Sequence, residues 1–227
     1  YPNPATNGDL FTNGKKRHVN FSPKFIAEVE KKTRLRFIDD GTGDLRKTVG
    51  PEDVFNYMYA IFHCPTYRER YAEFLKIDFP RVPLTGDQDL FRTLCGLGGQ
   101  LVALHLLESP LLDMQIEGFF PEGGNNLVGK GWPKYFPPGE RAPGSAEPLG
   151  RGRVYINDTQ FFEGVPEDVW QFHVGGYQVC EKWLKDRRGR MLPFDDINHY
   201  RKIVLALGET IRLMSEIDSA IVRWPVE

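Results

Sequence analysis

The chain has 227 residues, 41% of them hydrophobic and 13% aromatic, with 29 Lys and Arg against 31 Asp and Glu and a net charge of −2. A chain of this size buries roughly 70% of its extended surface, so one sizeable core forms without disulfide or metal staples. The charge balance lacks the basic surplus usual in nucleic-acid binders, although a local basic face remains compatible with it.

Cys64, Cys95 and Cys180 are odd in number and lie far apart, each within or at the end of a predicted helix. That usage predicts a reducing cytoplasm and no disulfide framework. No apolar run approaches ~18 residues, which predicts no membrane partner. The opening "YPNPATNGDLF" has neither the basic nor the apolar part of a signal peptide. It also lacks a starting Met, which suggests a piece of a longer chain.

Residues 1–20 read as an extended lead-in carrying a basic cluster, Lys15-Lys16-Arg17-His18. Ser22-Pro23 starts a helix, since Ser caps and Pro suits the first turn. That helix is predicted to reach Thr33, followed by a short strand at "LRFI" and a loop at 41–44. Pro51-Glu52-Asp53 opens a second helix with acids at its positive end and a buried stripe of Val54, Tyr57, Met58 and Ile61. Pro65 stops it. Thr66 and Glu69 have capping-box spacing for a third helix, and the prolines after Lys76 make residues 77–84 extended. Leu90, Leu94, Leu97, Leu101 and Leu104 mark a long amphipathic helix. Ile197, Tyr200, Val204, Leu207, Ile211 and Met214 mark another, and the two seams predict an antiparallel pair.

Between them "GGNNLVGKGWPKYFPPGERAPGSAEPLGRG" is a long Gly/Pro-rich loop region, of a kind that is often functional. "RVYIN" and "WQFHVGG" read as strands joined by "FFEGVPED". Gly175-Gly176 is a turn, Tyr177 to Lys185 is helical, and Arg187-Arg188-Gly189-Arg190 is an exposed turn. The fold class is therefore α+β: long paired amphipathic helices plus a small, loop-rich antiparallel β region. One domain over 1–227 is expected, comprising a helical approach and junction (1–84), a long spacer helix (85–108), the loop-rich β region (109–176) and C-terminal helices (177–227).

Catalytic patterns fail one by one. Gly124 to Lys130 fits the spacing of a phosphate loop, but Gly131-Trp132-Pro133 follows where Ser or Thr and a helix are needed. Glu30-Lys31-Lys32 has nuclease spacing but lies on a predicted helix face. His63-Cys64 has no second ligand pair at zinc spacing. "GLGG" at 96–99 falls inside a helix, where close helix packing explains it better than a dinucleotide site. No catalytic residue, metal ligand or cofactor is assigned to the chain itself, and an independent hydrolase or nuclease is disfavoured. The remaining candidates are surfaces. Lys130, Lys134, Arg141, Arg151 and Arg153 stud the Gly/Pro region among Trp132, Tyr135 and Phe136. Lys182, Lys185, Arg187, Arg188 and Arg190 form a run that only Asp186 opposes. Cations among aromatics and amides are what phosphate contact and base reading need, so Asn157, Gln160 and Gln178 join the candidates.

Three blocks carry a family resemblance: "PEDVFNYMYAIFHCPTYRERYAEFLKIDFPRVPL" (51–84), "GRVYINDTQFFEGVPEDVWQFHVGGYQVCEKWLKDRRGR" (152–190) and "YRKIVLALGETIRLMSEID" (200–218). In content and order they resemble the C-terminal target recognition domain of type ISP single-polypeptide restriction–modification enzymes. The resemblance runs from about Leu10 to Asp218, with 120–151 outside the pattern. It implies a module that reads a short sequence in double-stranded DNA and presents an adenine to the methyltransferase domain of the same bacterial, cytoplasmic polypeptide. S-adenosylmethionine, ATP and Mg are implied for the parent's other domains, which include a nuclease and a translocase. The alternative is a structural module that docks the methyltransferase or translocase and touches DNA weakly. The paired helices resemble the spacers of related specificity subunits.

Overall fold

The computed structural model describes residues 18–114, 119–121 and 123–226. Lys15, Lys16 and Arg17 of the N-terminal basic cluster lie outside the described residues. The elements in order are α1 (Pro23–Thr33), β1 (Arg36–Phe37), β2 (Thr48–Val49), α2 (Pro51–His63), α3 (Pro65–Arg70), α4 (Ala72–Leu75) and α5 (Gln88–His105). A 3-10 turn at Pro110–Asp113 leads to β3 (Lys134–Phe136), β4 (Arg153–Tyr155), β5 (Phe161–Glu163), α6 (Glu167–Trp170), β6 (His173–Val174), β7 (Tyr177–Gln178), α7 (Val179–Lys185) and α8 (Phe194–Ala220).

Local chemistry explains most boundaries. Ser22 caps α1 by accepting from the Phe25 amide at 3.2 Å. Asp44 turns the chain between β1 and β2, its Oδ1 accepting from the amides of Lys47, Thr48 and Arg46 at 2.7, 2.9 and 2.9 Å. These amides hold its carboxyl well below the usual range. Asp53, at the third position of α2, accepts from the amides of Gly50 and Gly43 at 2.8 and 2.6 Å. It thus ties the start of the helix to the preceding loop.

Pro65 opens α3, so Thr66 lies inside the helix and not at its cap. The expected box with Glu69 is replaced by a distant carboxylate. Asp218 of α8 accepts from the Thr66 amide, the Thr66 hydroxyl and the Cys64 thiol, each at 3.0 Å. Burial opposes ionisation there, yet these donors hold the Asp218 carboxyl below its ordinary value. The three cysteines are free and buried. Burial pushes the Cys64 and Cys180 thiols up to about 12, with Asp218 reinforcing the effect at Cys64.

The helices α2, α5 and α8 build one core. Val54, Tyr57, Ala60 and Ile61 of α2 meet Phe91, Leu94, Leu101 and Leu104 of α5, with Ala206, Leu213 and Ile217 of α8 beside them. α5 does pair with α8 in antiparallel fashion, since Leu90 lies by Ala220 and His105 reaches Thr210. Its main partner is α2, however, so the buried face of α5 turns from Leu90 and Leu97 to Phe91, Cys95 and Gly98. The cause is Gly98: a Cβ there would stand 1.8 Å from the Asn56 carbonyl oxygen, so α2 approaches α5 only over glycine. Gln88–Asp113 is long and apolar enough in composition to cross a membrane. Here α5 lies between α2 and α8 as a core helix.

A second core holds the β region. Strands β3-β4-β5 form an antiparallel sheet in that order, with Val154 opposite Tyr135 and Phe162. Val154, Ile156 and Phe162 pack on α6, on α7 through Cys180 and Leu184, and on Tyr200 and Val204 of α8. "FFEGVPED" is thus a strand and a helical turn, and Trp170 ends that turn, correcting the expected connection and strand. β1 and β2 pair in parallel, apart from the antiparallel region. α8 spans about 40 Å at 1.5 Å per residue. Its first half lies in the β core and its second half in the helical core.

Candidate nucleic-acid interface

The long Gly/Pro region is ordered by pairing with the basic turn. The Val128 amide donates to the Arg190 carbonyl at 3.0 Å, the Gly189 amide donates to the Val128 carbonyl at 2.8 Å, and Leu127 bridges to Met191. Arg188 closes the contact by donating from Nε to the Trp132 carbonyl. Two segments nearly sixty residues apart in sequence therefore present their cations together.

Lys130 and Lys134 flank Trp132, and the Lys134 ammonium lies 4.7 Å from the Trp132 ring centroid. Trp132 packs with Ala142, Leu149 and Tyr155 in a small third cluster, which fastens the 137–151 loop beneath it. Arg141 and Arg151 emerge exposed from the two ends of that loop. Among the described residues Lys130, Arg141, Arg151 and Arg190 have no anionic partner, and Arg188 meets only a carbonyl. Met191 and Phe194, 67% and 78% exposed, follow Arg190 directly. Exposed apolar side chains beside unpaired cations are the equipment that DNA-deforming proteins insert between base steps. Sequence reading missed both residues, because a Met and a Phe next to a helix start look like core.

Several candidates are otherwise engaged. Arg153 donates to Glu163 Oε1 from Nε and Nη2 at 2.8 and 2.6 Å and lies 4.1 Å over the Phe161 ring. Burial opposes its charge, but Glu163 more than compensates and raises its pKa. Lys182 pairs with Asp186, Lys185 with Glu181 at 2.6 Å, and Arg187 with Asp196 at 3.3 Å while stacking 3.5 Å over Trp183. Three acids therefore oppose the run, not Asp186 alone, because helical i,i+4 spacing and the start of α8 bring in two more. The run splits into a neutralised stretch, 182–187, and an unpaired stretch, 188–190.

The amides are structural in this conformation. Asn157 turns its own loop, accepting from the Gln160 amide at 2.8 Å and donating to the Leu127 carbonyl at 2.9 Å. Gln160 is 6% exposed and holds Asn126 through both its amide N–H and its side chain, at 2.8 and 2.7 Å. Gln178 donates to the Trp170 carbonyl. Tyr135 stacks on Trp170 with centroids 5.5 Å apart and donates to the Val165 carbonyl at 3.0 Å. Burial, with Glu167 and Asp168 nearby, pushes its pKa up to about 12. Gly124 to Lys130 is not followed by a helix. The described residues contain no group of three or more His, Cys, Asp or Glu placed to hold a metal.

The two-core fold, joined by one long helix and exposing a loop-borne cation cluster, has clear counterparts. The family described as the Type ISP C-terminal specificity domain matches residues 1–216. The class is thus a specificity domain, and this chain belongs to the Type ISP C-terminal specificity domain family. Among solved structures it is similar to the DrdV–DNA complex (24% identity, TM-score 0.52, 74% of this chain and 18% of that one). It is also similar to a nuclease-deletion mutant of the Type ISP restriction-modification enzyme LlaGI in complex with a DNA substrate mimic (21%, 0.50, 73% and 13%). A third likeness is to the ATP-dependent Type ISP enzyme LlaBIII bound to DNA (18%, 0.50, 78% and 12%). The chain thus spans less than a fifth of each of these longer chains. No curated protein matches.

Proposed function

We propose that this chain is the DNA target-recognition module of a longer bacterial restriction–modification polypeptide working in the cytoplasm, forming one recognition domain over 1–227. Family membership across 1–216 carries the reading. The unpaired cluster of Lys130, Lys134, Arg188 and Arg190, flanked by Arg141 and Arg151, supplies the chemistry, since loop cations around exposed aromatic and apolar groups suit phosphate contact beside base edges. The similar structures of LlaGI, DrdV and LlaBIII each contain DNA, which supports double-stranded DNA as the partner. In this reading the module itself is not an enzyme. A methyltransferase domain of the same polypeptide, using S-adenosylmethionine, flips and methylates an adenine at N6. ATP and Mg serve the parent's translocase and nuclease.

The reading narrows the contact residues. Lys130, Lys134, Arg141, Arg151, Arg188 and Arg190 make the contacts, with Met191 and Phe194 beside them. Arg153, Asn157, Gln160, Gln178, Lys182, Lys185 and Arg187 shape and support the surface. The test replaces residues 123–191 of the parent enzyme with those of another family member and maps adenine methylation across a genome. A changed methylated sequence is expected; an unchanged one sinks the reading. The alternative, a docking module with weak DNA contact, is favoured by one observation, the exposed apolar side chains around α4. It predicts binding to scrambled and target DNA with equal affinity.

A further inference from the structure

The segment from α3 to residue 84 leaves large apolar side chains in solvent. Phe74 is 71% exposed, Ile77 85% and Phe79 89%, with Leu75 at 36% beside them. Four such residues within six positions form a contiguous patch of the kind that marks an interaction surface. Beneath it lies a groove of about 420 Å³, floored by Tyr67, Tyr71 and Val82.

The patch is held in place. Tyr67 Oη donates to the Arg81 carbonyl at 2.9 Å, and Tyr57 Oη, buried in the helical core, donates to the Pro83 carbonyl at 2.7 Å. The amides of Ile77 and Asp78 both donate to the Phe74 carbonyl, at 3.0 and 2.9 Å, which folds the chain back over α4. The projecting side chains are therefore presented on a pinned arm, already ordered for binding.

Charge tells which partner fits. Lys76 pairs with Glu73 at 2.8 Å and Arg81 lies 3.6 Å from Asp78, so the ions in the patch cancel locally. A surface that is apolar at its centre and neutral at its rim is unsuited to phosphate and has the anatomy of a protein interface. It belongs to the helical core, whereas the unpaired cations sit on the β region.

We propose that Phe74, Leu75, Ile77 and Phe79, with the groove beneath them, dock this module onto an apolar surface of another domain in its own polypeptide. The proposal rests on the longer-polypeptide reading above. The similar LlaGI and LlaBIII structures match this chain over only 13% and 12% of their length, so most of each polypeptide is other sequence. A covering surface in the same chain acts at high effective concentration, which favours it over a second copy.

The test uses the intact parent polypeptide with the photoreactive residue p-benzoylphenylalanine at position 79, and at exposed Ser215 as a control. Irradiation followed by peptide mapping is expected to join position 79, and not 215, to residues of the same polypeptide beyond 1–227. An adduct to a second copy, to DNA or to residues 1–17 overturns the proposal, as does no adduct at all. A second variant, Phe74→Ser with Ile77→Ser and Phe79→Ser, is expected to split a single cooperative melting transition of the parent into two while leaving the DNA sequence preference intact. An unsplit transition, or a lost preference, argues against docking. If the native polypeptide has only the mass of residues 1–227, the longer-chain reading itself fails. If it is longer and position 79 captures nothing, only the docking does.

Discussion

Arg187, Arg188 and Arg190 are near neighbours with different fates, and the difference lies in what each finds within reach. Arg187 stacks on Trp183 and meets Asp196, whereas Arg190 meets no anion among the described residues. An unpaired cation on a DNA-facing surface releases counterions on binding, and a paired one contributes little. Replacing Lys130, Arg188 and Arg190 by Ala should therefore weaken binding to all DNA sequences alike and lower the salt slope by about 0.9 per cation. Replacing Lys182 and Lys185 should leave the slope unchanged. Fluorescence anisotropy across a salt series checks both. At another residue, Asp218 satisfies three donors at the start of α3. Asp218→Ala should cost about 1–3 kcal/mol, the scale of hydrogen bonds to a charged acceptor, read as a lower midpoint in urea with an unchanged m-value.

At the scale of elements, the α2–α5 contact depends on a missing side chain. Gly98 lies where a Cβ would meet the Asn56 carbonyl at 1.8 Å, while a Cβ on Gly96 meets nothing within 4 Å. Gly98→Ala should destabilise by about 1–3 kcal/mol through overpacking. Gly96→Ala, on the exposed side of the same helix, should stabilise by up to about 1 kcal/mol through helix propensity. Thermal melts of the two variants should shift in opposite directions. The pair also shows what was legible beforehand. "GLGG" inside a helix announced close packing, but not that the neighbour was α2, because periodicity marks an apolar face without identifying its partner. Caps set by adjacent residues, such as Ser22, were readable. The cap on α3 was not, because its acceptor lies about 150 residues away in Asp218. The candidate surface followed the same rule. Cation positions were visible in the sequence, but their neutralisation by Glu163, Glu181 and Asp196 required the fold, as did the stitching of 127–132 onto 188–191.

At the scale of the whole molecule, α8 is shared by two cores, and the seam between them contains a cleft of about 530 Å³ that draws Tyr59, His63 and Arg68 from the helical body, Phe172 and His173 from the β region, and Thr210 from α8. His105 bridges it, with Nδ1 2.7 Å from Tyr59 Oη and Nε2 3.0 Å from Thr210 Oγ1. Burial lowers the His63 pKa to about 4, against the Tyr59 carbonyl that hydrogen-bonds its Nδ1, and Arg68 and His105 depress it further. His105 is lowered by burial and by Arg68. Both histidines are therefore neutral in the folded state and titrate near 6.5 once unfolded. Between pH 6.5 and 4 the unfolded chain binds protons that the folded chain refuses, so stability present above pH 6.5 is lost as pH falls through this window. Carboxylates with depressed values, such as Asp218, add their own loss at the acid end, so the histidine share is read by difference. His63→Gln keeps a hydrogen-bonding group and removes the titration. Its melting temperature should fall less than that of the unmodified chain between pH 6.5 and 4, with the two curves parallel above pH 7. Equal slopes would mean that the seam opens readily enough to hydrate His63 in the folded state, and that the two cores are joined through α8 more than through their shared cleft.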